Sequence, residues 1–571
     1  MRSNTQFLFR VRLISIGCVI ASLVLLTKLY LVQIVHGSDY REKAERQYSR
    51  PNQELWNRGS IFFSARNGDL VSAATLKIGF TLAINPKEIT DPESAWGALS
   101  LYVPLDKKDF LEKAAKRSDP YEEIARRLSP EIAEKIEALK LKGVSLYKER
   151  WRFYPGGRLS SHLLGFVGFD SNVLTGQYGL ERYYNDALSR DLKGLSTNFF
   201  AEIFSGVKKV VSPERFEGDI VTSVEPSVQH FLEDTLAELQ SAFDAKRVGG
   251  IIMDPRTGRI YGMALSPSFD PNDYGKETDA GRFSNSLVES VYEMGSIMKP
   301  ITMAAGLDAG VITATSTYYD AGFLTLNNKT ISNFDGKGRG RVSMQEVLSQ
   351  SLNTGAATVA LRLGKDQFRQ YLKNFGLGEE TGIDLPAESA GLVRNLLSGR
   401  DIELATASYG QGIALTPIQT IRALAALSNG GYLVTPHLVT GIKYKTGLSR
   451  SVESTEKRQV LKPETSEEIS RMLVEVVDTA LLHGAYKMPH HSIAAKTGTA
   501  LIANGVVGGG YYEDRFLHSF FGYFPAYNPS FIVFLYALEP KGVEFASASL
   551  TAPFMKVSKF LINYYEIPPD R

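Results

Sequence analysis

From Leu13 to Val35 the chain reads LISIGCVIASLVLLTKLYLVQIV, an apolar run with a single charge at Lys28. As a helix rising about 1.5 Å per residue it is about 34 Å long, against about 30 Å of bilayer hydrocarbon. Lys28 sits towards the far end, where its stem can carry the ammonium to the interface. Arg2, Arg10 and Arg12 precede the run and no acidic residue does. The positive-inside tendency predicts a cytoplasmic tail over 1–12, a transmembrane anchor over 13–35 and an extracytoplasmic remainder. A cleaved signal peptide is the alternative. Its apolar core is usually shorter and ends in small residues, whereas this run continues through Tyr30 and Gln33. Cys18, the one cysteine of the chain, lies inside the run, so no intrachain disulfide is possible and the remainder must stand on packing alone.

The remainder divides by texture. Residues 36–217 mix short strand-like pieces with charged helices and predict an irregular α+β module. Over Glu122–Leu141 the apolar residues Ile124, Leu128, Ile132, Ile136 and Leu139 recur at roughly helical spacing, with a helix start at Ser129-Pro130. From about 218 to 571 the pattern predicts a second domain. A strand over Val221–Val224 and a helix over Pro226–Leu239 precede two apolar hairpins. The first, Val248–Met253 with Arg259–Leu265, turns at Asp254-Pro-Arg-Thr-Gly258. The second, Phe520–Phe524 with Phe531–Leu538, turns at Pro525–Pro529. Strands at both ends with helices between predict an antiparallel sheet flanked by helices, so the fold class is α+β. Basic and acidic residues nearly cancel, to +2, which gives no basic surface for nucleic acid.

Ser296-Ile-Met-Lys299 places a hydroxyl and an amine three residues apart, on one face if helical. A serine attacks only when a base takes its proton, and a lysine does so only when burial or a neighbouring cation lowers its pKa. Alone the tetrapeptide is weak, since Ser145, Ser205 and Ser454 also have a lysine three places on. Two further motifs strengthen it. Ser351-Leu-Asn353 is predicted in a loop between the helices Ser343–Gln350 and Ala356–Leu363, where a hydroxyl and an amide can face a cleft. Lys496-Thr-Gly498 follows the apolar run Ile493–Ala495 and is predicted on a strand. Thr497 and Thr499 then share one side, and Gly498 leaves room for a ligand.

S-x-x-K, S-x-N and K-T-G in this order resemble the motif set of penicillin-binding proteins and class A β-lactamases. The resemblance is wider than the set. Arg58-Gly-Ser-Ile61 with Arg66-Asn-Gly68, Arg152-Phe-Tyr-Pro155 with Gly157, His162, Gly165 and Gly168, and Gly176, Gly179, Leu180, Glu181 and Tyr184 resemble the N-terminal boxes of class B penicillin-binding proteins. Tyr292–Ser296 resembles that family's approach to the nucleophile, with Met294 where proline is usual. Gly410-Gln-Gly412 with Thr416-Pro417 resembles the box before the last motif. Size and the short module resemble the division-specific type, penicillin-binding protein 3.

The resemblance implies a transpeptidase that acylates Ser296 with a stem peptide ending D-Ala-D-Ala, releases the last D-Ala, and passes the acyl group to an amine of a neighbouring stem. It implies Lys299 as base, although which lysine takes the proton is left open. Ser351 relays a proton to the leaving amine, Lys496 polarises that hydroxyl, and Asn353 holds the substrate amide. Thr497, Gly498 and Thr499 form the carboxylate-binding strand, and the N–H groups of Ser296 and Thr499 form the oxyanion hole. β-Lactams would bind covalently. No cofactor or metal is implied. The implied setting is the bacterial inner membrane during septal wall synthesis, with a multi-span membrane glycosyltransferase of the division machinery as partner. The alternatives are an elongation-type transpeptidase, a β-lactam sensor or β-lactamase, and a catalytically silent scaffold. Glu513-Asp-Arg-Phe516 with His518 faintly resembles a glycosyltransferase box but falls after K-T-G with the wrong histidine spacing. His490-His491 has no metal ligands at useful spacing.

Overall fold

The computed structural model describes Lys28 and residues 56–170, 173–189, 217–444, 447–452, 457–504 and 510–571. The predicted anchor, Lys28 apart, lies outside the described residues. Among the described residues no helix is long and apolar enough to cross a membrane.

Two compact units emerge. The smaller contains residues 76–151. In it the end of the strand Leu70–Ile84 pairs antiparallel with Glu122–Leu128 and is also joined by Val144–Phe153. Leu82, Ile84, Leu99, Phe110, Leu128 and Ile136 form its core. Glu122–Leu128, predicted helical by its spacing, is thus a strand. Ile124 and Leu128 are four apart, which suits one face of a helix and one face of a strand equally, and pairing to Leu70–Ile84 decides it. The helix start at Ser129 is as predicted: Ser129 caps Pro130–Ala138 by accepting from Ile132 N–H, with Pro130 in the first turn.

The larger unit contains residues 58–75 and 152–571. At its N-terminal end Ile61–Ser64 pairs with Leu70–Ala74 and, in parallel, with Gly218–Thr222. Beside this strand a carboxylate is buried between two guanidiniums. Glu181 accepts from Arg58 Nε at 2.6 Å and from Arg152 Nε at 2.5 Å. Burial alone would raise the Glu181 pKa, but the two arginines outweigh it and hold it low. Arg58 also donates to the Glu181 carbonyl and Arg152 to the Gly59 carbonyl, so these groups bind 58–59, 152 and 181 into one knot.

The rest of the unit is built on a five-stranded antiparallel sheet. Its elements are α1 (Pro226–Phe243), β1 (Arg247–Met253), β2 (Ile260–Ser266), α2 (Lys299–Asp308), α3 (Met344–Ser349), α4 (Asn353–Leu363), α5 (Pro463–Glu475), β3 (Ala494–Ala503), β4 (Tyr511–Phe524), β5 (Phe531–Leu538) and α6 (Ala546–Tyr564). The sheet order is β3-β4-β5-β1-β2, so the two predicted hairpins meet along β5 and β1. Both faces are buried, and the period of two shows it. Phe520, Phe524, Val533, Leu535, Val248 and Ile252 pack with α1 and α6. Phe521, Tyr523, Phe534, Tyr536, Ile251 and Met253 pack with α2, α5 and neighbouring helices. This is the antiparallel sheet flanked by helices that the hairpins implied. β3 is an edge strand, which leaves its outer side for the site.

Candidate active site

Ser296 and Lys299 belong to a single tight rise. Gly295–Met298 is one turn of 3₁₀-helix and runs directly into α2 at Lys299. The prediction assumed a continuous α-helix. The 3₁₀ turn closes with the Lys299 N–H on the Ser296 carbonyl, so the two residues rise on one side of it. Pro300 lies in the first turn of α2, where its missing N–H costs no intrahelical bond. Ser296 is half-buried, whereas Lys299 is 1% exposed. The decoys separate here. Ser145 and Lys148 lie on the strand Val144–Phe153, where positions three apart face opposite ways. Ser205 and Ser454 lie outside the described residues.

Lys299 Nζ does not turn to Ser296. It donates to Ser351 Oγ at 3.1 Å and to the Ser351 carbonyl at 2.5 Å. Lys496 Nζ donates to the same Ser351 Oγ at 3.1 Å and to the Thr497 carbonyl at 3.1 Å. Three residues from three motifs, up to 197 positions apart by their own numbers (496 − 299), therefore meet on one hydroxyl. Both lysines are nearly sealed from solvent. Burial, then the charge of Lys496, drives the Lys299 amine well below the ordinary lysine value. Burial alone lowers Lys496 to about 8. Two ammoniums cannot comfortably share one acceptor in a dry site, so the pair favours a neutral Lys299 beside a charged Lys496.

Ser351 reaches this position through an unusual backbone. α3 ends at Gln350, and Ser351 follows with φ +56°. Its N–H bonds the Leu348 carbonyl, and the Leu352 N–H bonds the Val347 carbonyl. That is a Schellman motif, whose left-handed position normally holds glycine. Here it holds the one residue whose hydroxyl the lysines require. Asn353, predicted in the loop, is instead the first residue of α4, and its Nδ2 donates to the Ser332 carbonyl at 2.9 Å.

Thr497 and Thr499 are both half-exposed on either side of buried Gly498, as strand alternation requires. Gly498 has a different purpose from the predicted one. A Cβ there would lie 2.5 Å from Ser519 Oγ, 2.8 Å from the Met294 carbonyl oxygen and 3.0 Å from Ile297 N. The missing side chain makes room for the turn that carries Ser296. Gly295, with φ +63°, answers it: a Cβ there would lie 2.8 Å from the Thr499 carbonyl oxygen. Gly295 N–H bonds the Gly410 carbonyl, and Tyr292 and Leu415 exchange both backbone bonds at 2.9 Å. The Gly410-Gln-Gly412 box is therefore the second brace of the Ser296 turn. Ser519 Oγ, donating to the Met294 carbonyl at 2.9 Å, is the third. Ser519 carries no motif; only the β3–β4 register, which sets it opposite Gly498, could have singled it out.

Other sequence signals take structural places. Glu513–Phe516 lie on β4. His518 is wholly buried under the start of α6. His491 Nε2 bonds the Ile567 carbonyl.

Residues 248–558 match the penicillin binding protein transpeptidase domain, and residues 56–194 match the penicillin-binding protein dimerisation domain. Stage V sporulation protein D of Bacillus subtilis is 32% identical over 97% of this chain and 85% of its own length. The peptidoglycan D,D-transpeptidase FtsI of Buchnera aphidicola is 26% identical over 99% of this chain and 97% of its own. In fold, the chain is similar to penicillin binding protein 3 of Mycobacterium tuberculosis in its aztreonam complex, with a TM-score of 0.68 at 21% identity over 90% of this chain and 98% of that one. With two lysines on one serine hydroxyl, a braced serine turn and both domain matches in order, the chain belongs to the class B penicillin-binding proteins.

Proposed function

We propose that the chain is a peptidoglycan D,D-transpeptidase that works through a Ser296 acyl-enzyme. The observation that carries this reading is the convergence of Lys299 and Lys496 on Ser351 Oγ, next to the braced turn of Ser296. A neutral Lys299 takes the Ser296 proton as Oγ attacks the carbonyl between the two D-Ala residues. The oxyanion forms against the N–H groups of Ser296 and Thr499, each worth about 3–4 kcal/mol in such sites. Ser296 N–H lies in the first turn of its helix, where donors have no intrahelical acceptor. As the C–N bond breaks, Ser351 passes a proton to the leaving D-Ala amine and is replenished through its lysine bonds. Charged Lys496 keeps that hydroxyl polarised. Asn353, its amide oriented by the Ser332 carbonyl, holds the stem amide, and Thr497 and Thr499 bind the terminal carboxylate. The acceptor amine then attacks the ester by the reverse proton path. The test is release of D-alanine from a D-Ala-D-Ala stem peptide together with transfer to an added amine. Water-only release, without transfer, would favour the hydrolase reading.

The same reading extends to place and partner. Residues 1–12 are the cytoplasmic tail, 13–35 the anchor in the bacterial inner membrane, 36–217 a pedestal and 218–571 the catalytic domain, serving septal wall synthesis. The support is the arginine-flanked apolar run; protease added outside intact spheroplasts should digest the domains, and their full protection would contradict it. A multi-span glycosyltransferase is the proposed partner, because no glycan-polymerising box accompanies the transpeptidase motifs. Ser15, Gly17, Ala21 and Ser22 would allow close helix packing. Co-purification in detergent tests it, and the absence of any polymerase from the eluate would remove it.

A further inference from the structure

The carboxylate-binding strand has a support that none of the motifs contains. Thr499 Oγ1 accepts the N–H of Ala546, the first residue of α6, at 3.0 Å. A hydroxyl has one hydrogen to give. With Ala546 N–H occupying one lone pair, that hydrogen is turned away from Ala546 N and left for another acceptor. The Ala546 N–H is itself held in place from β4. His518, the register partner of Thr499, is wholly buried. Its Nε2 lies 2.9 Å from the Glu544 carbonyl and its Nδ1 2.7 Å from Ser549 Oγ. A carbonyl only accepts, so Nε2 carries the hydrogen and Nδ1 accepts from Ser549. Burial lowers this imidazole to about 4, so the neutral tautomer persists through the physiological range. One ring thus pins both ends of Glu544–Ser549.

We propose that His518 is a positioning residue for substrate carboxylate recognition: by holding the Glu544 carbonyl it keeps Ala546 N–H on Thr499 Oγ1, which turns the Thr499 hydrogen towards the carboxylate. The inference rests on the proposed role of Thr499 in the transpeptidase reading. His518 touches no substrate; it acts through Glu544, Ala546 and Thr499 in turn.

The test compares acylation of the full chain by benzylpenicillin and by its methyl ester. The ratio of the two second-order rate constants reports carboxylate recognition, and a general loss of fold or reactivity leaves it unmoved. The wild-type chain should strongly prefer the acid. His518→Phe should reduce the ratio by about tenfold, the scale of one hydrogen bond to a charged group. His518→Gln, which can still donate to Glu544, should restore most of it. Ala546→Pro removes the N–H directly at a helix position that tolerates proline, after Phe545 at φ −111° and ψ 136°, which also suits proline. It should reproduce the His518→Phe effect with the fold intact, and it decides the matter if His518→Phe does not fold. An unchanged ratio in Ala546→Pro overturns the proposal. A wild-type ratio near one overturns the carboxylate role of Thr499 itself, and that failure is distinguishable because it appears before any variant is made.

Discussion

The chemistry of the site reduces to the order in which two lysines lose their protons. Lys496 keeps its proton up to about 8 and its charge pushes the buried Lys299 lower, so Lys299 deprotonates first. Acylation should therefore rise with pH as Lys299 becomes neutral. It should fall again as pH passes about 8, where Lys496 loses the charge that polarises Ser351. Lys496→Gln removes the charge that depresses Lys299, so Lys299 holds its proton more tightly. The ascending limb should move to higher pH and the descending limb should disappear, as read from the rate of penicillin acylation against pH. Limbs that stay where they are in Lys496→Gln would separate the two lysines. The order of S-x-x-K, S-x-N and K-T-G along the chain was enough to single out these three motifs. Their partners were not legible: S-x-x-K invites a Ser296–Lys299 bond, whereas burial of the amine beside Ser351 gives Lys299 a different hydroxyl.

At the level of elements, the motifs sit where one helix, strand or turn ends and another begins. Ser351 stands at a left-handed helix terminus that glycine would fill at less cost. Ser351→Gly and Ser351→Ala both delete the hydroxyl, but only alanine retains the strained φ. Both should lose acylation, and the glycine variant should be the more stable by about 1 kcal/mol in denaturant titration. Equal stability would mean the left-handed conformation carries no strain. The helix end itself was legible, since Ser351 was placed just after Ser343–Gln350, but its left-handed conformation was not, because a serine after a helix reads equally well as any loop residue. The two apolar hairpins were legible, since runs of five to eight mostly apolar residues around Pro- and Gly-containing turns admit few other structures. Glu122–Leu128 was misread for the complementary reason: it is short, and its two apolar anchors satisfy both periods. Gly498 was assigned to a ligand because a lone sequence cannot show which backbone approaches it; the approach is made by Met294–Ile297, two hundred residues earlier in the chain.

On the scale of the molecule, one sheet joins the chain's distant parts. β1 and β2 come from its middle and β3 to β5 from its end, and their alternating faces bury helices on both sides. That arrangement sets the edge strand β3 against the turn of Ser296, and on the proposed reading it is what would make this serine, among many, the reactive one. The central claim is therefore positional, and penicillin tests it across every serine at once. The chain is incubated with benzylpenicillin, digested, and the adduct located by mass spectrometry, with Ser296→Ala run alongside. A single penicilloyl group on the peptide containing Ser296, absent from a folded Ser296→Ala chain, is the expected result. An adduct on Ser145, Ser205 or Ser454, or one that survives Ser296→Ala, would contradict the account.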